Sequence, residues 1–102
     1  MYRGTTPTHI FKTKTDLREA VELFITYKQN GKVLVEKSIG DVNIEEDSIT
    51  TTLTQEETLS FDSIGSVEMQ IRVRFEGDPI DKALASNIIK RPVGAILKEG
   101  VI

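Results

Sequence analysis

The strongest regularity in the chain is an alternation of apolar and polar residues with a period of two. In SVEMQIRVRFEGD, Ser66 to Asp78, the residues Val67, Met69, Ile71, Val73 and Phe75 fall on one side, and Glu68, Gln70, Arg72, Arg74 and Glu76 on the other. Successive strand side chains point to opposite faces, so this pattern predicts a strand with one face on a core and one in water.

The same rhythm, more weakly, runs through most of the sequence. HIFKT, His9 to Thr13, follows Pro7 and reads as an edge strand, where a proline removes no ladder donor. TDLREA, Thr15 to Ala20, reads as a turn into the next strand. AVELFITYKQNGKVLVEKSI predicts a hairpin around Asn30-Gly31, since both residues tolerate positive φ. Loop length follows from the register. A two-residue loop sets Ile25 opposite Glu36 and puts a charge on the apolar face. A three-residue loop, Gln29-Asn30-Gly31, pairs Tyr27 with Val33, Ile25 with Val35 and Val21 with Ile39. The three-residue loop is therefore expected, and it leaves Phe24 and Leu34 on the outer face.

Val42 and Ile44 suggest a short strand, Glu45 to Asp47 a turn, and Ser48 to Leu53 another strand with Ile49, Thr51 and Leu53 on one face. The rhythm breaks at TQEETLSF. Thr54 with Glu57 three positions on is a capping box, and Glu56 and Glu57 suit the positive end of a helix dipole. One or two helical turns near 55–60 are expected there, joining strands of different sheets, with Leu59 and Phe61 turned inward. EGDPID reads as a turn. KALASNIIKRPV, Lys82 to Val93, reads as a weaker strand pairing back onto Ser66–Glu76, and GAILKEGVI as an apolar tail.

Six to seven short strands with turns about every ten residues predict an all-β fold: an immunoglobulin-like antiparallel β-sandwich with one short helix, in a single domain over residues 1–102. A small closed barrel is the alternative. The length supports one apolar core.

Charge and chemistry narrow the function classes. Thirteen basic against sixteen acidic residues give a net charge of −3, which argues against a nucleic-acid binder. Lys12, Lys14, Arg18, Lys90, Arg91 and Lys98 read as scattered solvated surface. With no cysteine, neither a disulfide nor a thiolate metal site is available. MYRGTTPTHIF lacks the apolar region of a secretory signal, and no apolar run reaches the roughly 20 residues of a bilayer span. No membrane association is expected.

The single histidine, His9, reads as a hydrogen-bonded edge residue rather than a ligand or base. No serine stands in a nucleophile elbow. Glu45-Glu46-Asp47 and Glu56-Glu57 read as solvated acidic turns; DVNIEEDS lacks the spacing of a calcium loop. No catalytic, cofactor-binding or metal-ligating set emerges, so no enzymatic activity and no cofactor is expected. The suggestive residues are apolar: Phe24 and Leu34 on the outer face, and Ile96, Leu97, Val101 and Ile102 in the tail. The tail either docks on its own domain or packs against a neighbour.

Taken in order, RGTTPTHIF, DLREAVELFITYKQNGKVLVEKS, ITTTLTQEETLSF and ASNIIKRPVGAILKEGVI resemble a family of small structural proteins from prophages of Gram-positive bacteria. That family is similar in layout to the N-terminal β-sandwich modules of phage baseplate and tail proteins. The likeness runs over nearly the whole chain, mainly through TLTQEETLSF and ILKEGVI. It implies a virion component associated with tail or baseplate, made in the host cytoplasm. It also implies an immunoglobulin-like fold, a homo-oligomer, and other phage structural proteins as partners. The alternative is a small carbohydrate- or cell-surface-binding module, with Tyr27 and Phe24 as its contact residues.

Overall fold

A computed structural model describes all residues from Met1 to Ile102. The fold is all-β, with two antiparallel sheets and one helical turn. The small sheet holds β1 (Thr8–Lys12), β4 (Asn43–Ile44) and β5 (Ser48–Thr52) in the order β1-β5-β4. The large sheet holds β2 (Glu22–Gln29), β3 (Lys32–Ser38), β6 (Ser66–Phe75), β7 (Lys82–Ala85) and β8 (Ile89–Pro92), with β3-β2-β6 in sequence and both β7 and β8 on the far side of β6. The chain crosses between the sheets through α1 (Gln55–Leu59), where the helical turn was expected. Its cap is the reciprocal one: Thr54 Oγ1 accepts from the Glu57 N–H at 3.1 Å, and the Thr54 N–H donates to Glu57 Oε1 at 2.9 Å.

One apolar cluster lies between the sheets. Phe11, Ile49 and Leu53 enter it from the small-sheet side; Leu23, Ile25, Tyr27, Val67, Met69, Ile71 and Val73 enter from the large one. Phe61 plugs it after α1. The radius of gyration is 14.8 Å, against about 13 Å for a compact chain of this size. The molecule is elongated because ten-residue β6 runs well past the five-residue strands of the small sheet.

β6 follows its sequence pattern: its odd positions from Val67 to Val73 are buried, and none of its even positions is. The even positions, Arg72 apart, meet complementary partners on β2. Lys28 lies opposite Glu68, Thr26 opposite Gln70, Phe24 opposite Arg72, and Glu22 opposite Arg74. Arg74 also reaches Glu22 at 3.3 Å and Asp81 at 2.6 Å. Glu68 and Arg74 of β6 are thus half of a cross-strand charge pairing.

The hairpin departs from the expected three-residue loop. Gln29 pairs with Lys32, so the loop is Asn30-Gly31 alone, with φ of 53° and 78°. Positive φ at both central residues is the requirement of a type I′ turn. The register conflict is resolved by a bulge: Lys28 pairs with Val33 and Tyr27 with Val35, which leaves Leu34 as the extra residue. Beyond the bulge Ile25 pairs with Lys37, not Val35, and Glu36 moves to the outer face opposite Thr26. Lys37 stays on the apolar side, but its stem covers the core rim while Nζ reaches Glu57 Oε1 at 2.8 Å. The expected Val21–Ile39 pair does not form, because β2 begins at Glu22 and Ile39 starts a 3-10 turn, Ile39–Asp41.

The expected single strand over Lys82–Val93 is two strands. The registers on β6 differ by one residue, Arg72 with Ala85 but Met69 with Ile89, and Ser86 bridges the break. Its N–H donates to the Ile71 carbonyl at 2.8 Å, and its Oγ accepts the Ile71 N–H at 2.9 Å, replacing a backbone acceptor. With this split and the two-residue β4, the chain has eight strands rather than six or seven.

Candidate interaction surfaces

Between the sheets runs a row of rings. His9 on β1 and Tyr27 on β2 share a hydrogen bond, Nδ1 to OH at 2.8 Å, and Tyr27 lies 6.2 Å from Phe61. Burial lowers the His9 pKa, and the nearby positive charges of the Met1 amine and Arg91 lower it further. Burial likewise raises the Tyr27 hydroxyl well above its usual range, with the Glu57 carboxylate adding to the rise. Both groups are held neutral, and their bond ties one sheet to the other. Tyr27 is wholly buried and offers no face on which a sugar could stack.

Gln29, expected in the loop, is the last residue of β2 and is 2% exposed. Its amide donates to the Asp62 carbonyl at 2.8 Å and accepts the Asp62 N–H at 2.7 Å. This pins the segment after α1 to the hairpin.

The apolar residues singled out in the sequence do not gather into one patch. Phe24 is on the outer face of the large sheet, 37% exposed, between Ser38 and Arg72. Leu34, expected beside it, is instead half-buried against the core, because the bulge turns it inward. Ile96 is half-buried near Gly4: a Cβ built on Gly4 would lie 3.0 Å from Ile96 Cδ1. Leu97, Val101 and Ile102 are exposed. The tail nonetheless docks on its own chain. The Ile102 N–H donates to Gln55 Oε1 at 2.8 Å, Gln55 Nε2 donates to the Ile102 carbonyl at 3.0 Å, and Glu99 pairs with Arg3 at 2.9 Å. Arg3 in turn donates to the carbonyls of Phe61 and Leu59. The tail is thus held by polar contacts that leave Leu97, Val101 and Ile102 outward.

A feature with no linear signal lies along one side of the sandwich. There β1 and strands β7 and β8 border their sheets without pairing, and a groove of about 600 Å³ opens between them. Ile10, Leu84 and Ile89 line it, with Ile71 and Val73 of the core at its floor. A second hollow of about 340 Å³ continues it past Ile10, Phe11 and Ile89 towards His9 and Arg91. Ile10 is 61% exposed. The charged side chains lining the two hollows are Lys12, Lys14 and Arg91, all cationic. Three of the basic residues expected to scatter thus flank a single seam.

Compared with family models, curated proteins and solved structures, the chain matches none. No helix is long and apolar enough to cross a membrane.

Proposed function

We propose that this chain is a non-enzymatic structural module of a phage or prophage particle, associated with tail or baseplate, that works through protein–protein contact. The observation that carries the contact reading is the finish of the surface. Unpaired sheet edges border an apolar seam, and Ile10, Ile64, Ile80, Ile88, Leu97 and Ile102 are each more than half exposed. Free edges and outward apolar side chains are features by which chains add to one another. The particle assignment leans on the resemblance carried by TLTQEETLSF and ILKEGVI. In this reading the sandwich is immunoglobulin-like, supported by two antiparallel sheets over one apolar cluster with a helical crossing. The protein is made in the host cytoplasm, builds into the virion, and forms a homo-oligomer alongside other structural proteins.

Light scattering across a concentration series tests the reading. A defined oligomer is expected, weakened by deletion of Lys98–Ile102. A monomer at every concentration, indifferent to that deletion, overturns it.

A further inference from the structure

The small sheet has two free edges, and they differ in charge. At β1, the Leu53 N–H donates to the Pro7 carbonyl at 3.0 Å and the Thr13 N–H to the Asp47 carbonyl at 2.8 Å. Antiparallel ladders alternate, so the odd residues of β1 bond to β5, while Thr8, Ile10 and Lys12 turn their N–H and C=O groups to the outside. At the opposite edge, the Glu45 N–H donates to the Ser48 carbonyl at 2.9 Å, and Asn43 pairs with Thr50. The groups of Val42 and Ile44 therefore point away from the sheet. The β1 edge carries Lys12 and Lys14. The β4 edge is bracketed by Asp41, Glu45 and Glu46, all exposed. Arg18 lies near Glu46 but is already paired with Asp16 at 2.6 Å.

The two edges also agree in level. Ser48 pairs with Lys12 on one side and accepts from Glu45 on the other, so Lys12 and Glu45 stand at the same height on the same face. Likewise Ile10 and Asn43 both pair with Thr50, and Phe11 and Ile44 both pair with Ile49. A second copy displaced sideways by one sheet width brings its acidic edge against this basic edge with these levels preserved. Both edge strands run antiparallel to β5, so they meet in parallel.

We propose that copies of this chain associate head to tail through the small sheet, β4 of one lying along β1 of the next, with Glu45 of one beside Lys12 of its neighbour. The inference rests on the assembly reading above and adds a contact apart from the C-terminal tail. The second copy closes the open side of the seam at Ile10 and continues the sheet. A heterologous contact of this kind closes into a ring or runs on as a filament, according to the rotation per step. Short parallel edges bury little area, so the association is weak and concentration-dependent.

Sedimentation of the whole chain at concentrations up to about 1 mM, where an interface this small becomes populated, tests it. The unaltered protein is expected to show a mass that rises with concentration and falls with added salt. Lys12→Glu sets a carboxylate against Glu45 of the neighbour and Glu45→Lys sets an amine against Lys12, so each variant alone should associate measurably less than the unaltered protein. An equimolar mixture, or the double variant, should recover association. Both sites are exposed, and circular dichroism checks that each variant is folded. If the protein associates but both single variants associate equally well, this interface is overturned and the assembly reading stands. A monomer throughout overturns both.

Discussion

The broad outer face of the large sheet and the free edges of the small one are built from the same residue types, yet they end differently. On the broad face, Glu68 of β6 lies opposite Lys28, and Arg74 pairs with both Glu22 and Asp81. At the edges, Lys12 and Lys14 stand on one side and Glu45 and Glu46 on the other. The strands that could bring them together belong to a single chain and never meet. Long strands in the middle of a sheet satisfy their side chains within the fold. Short strands at its margins leave both side chains and backbone groups unsatisfied. The difference puts the paired side chains on β2 and β6 and the open backbone groups at β1 and β4.

The largest expected effect separates the closed core from the open seam. Ile25 is fully buried on β2, whereas Ile71 lies on the floor of the groove. Ile25→Ala is expected to cost about 3 kcal/mol, because a sealed cavity remains, and Ile71→Ala about half as much, because water fills the space. Equilibrium urea unfolding of both variants checks the ranking; equal costs would mean that the groove is closed in solution.

Next comes the ion pair at the core rim. Burial pushes the Glu57 carboxyl upward, but hydrogen bonds from Lys37 and from the Thr54 N–H outweigh it, and the group titrates below its usual 4.5. A depressed carboxyl pKa adds stability that is present above about pH 4.5 and is lost as pH falls through the folded value. Glu57→Gln is expected to cost about 1 kcal/mol at neutral pH, through loss of the ion pair with Lys37, while its amide oxygen can keep the cap. It should also flatten the acid limb of a plot of Tm against pH. An unchanged acid limb would assign that limb to other carboxyls.

The smallest effect belongs to the broad face. Lys28→Ala breaks one exposed rung, opposite Glu68, and is expected to change stability by less than about 0.5 kcal/mol. A loss of several times that, read from the same unfolding curves, would show that the ladder is coupled rather than pairwise.

How much of this is legible in the sequence depends on the range of the cause. Strand β6 and the cap of α1 are local: alternation fixes the faces of Val67–Val73, and Thr54 and Glu57 find each other within one turn. Asn30-Gly31 is local too, and marks the turn. The bulge at Leu34 is not, because it answers a conflict between the turn and the core across the whole hairpin, so the loop length inferred from pattern alone was one residue too long. For the same reason Gln29 reads as loop, and only the fold brings its amide to Asp62. Ser86 gives no linear sign that its hydroxyl will stand in for a backbone group. The seam is furthest from the sequence. Lys12, Lys14 and Arg91 converge on it only because β1 and β8 end on the same side of their sheets.

The paired charges of the broad face have one more consequence. Lys28, Arg72 and Arg74 are set among Glu22, Glu36 and Glu68, three of each sign within a few strand spacings. Opposite signs so interleaved cancel within about a Debye length, so a charged molecule drifting past would feel almost no pull towards that side. What long-range field the protein exerts comes chiefly from its flanks.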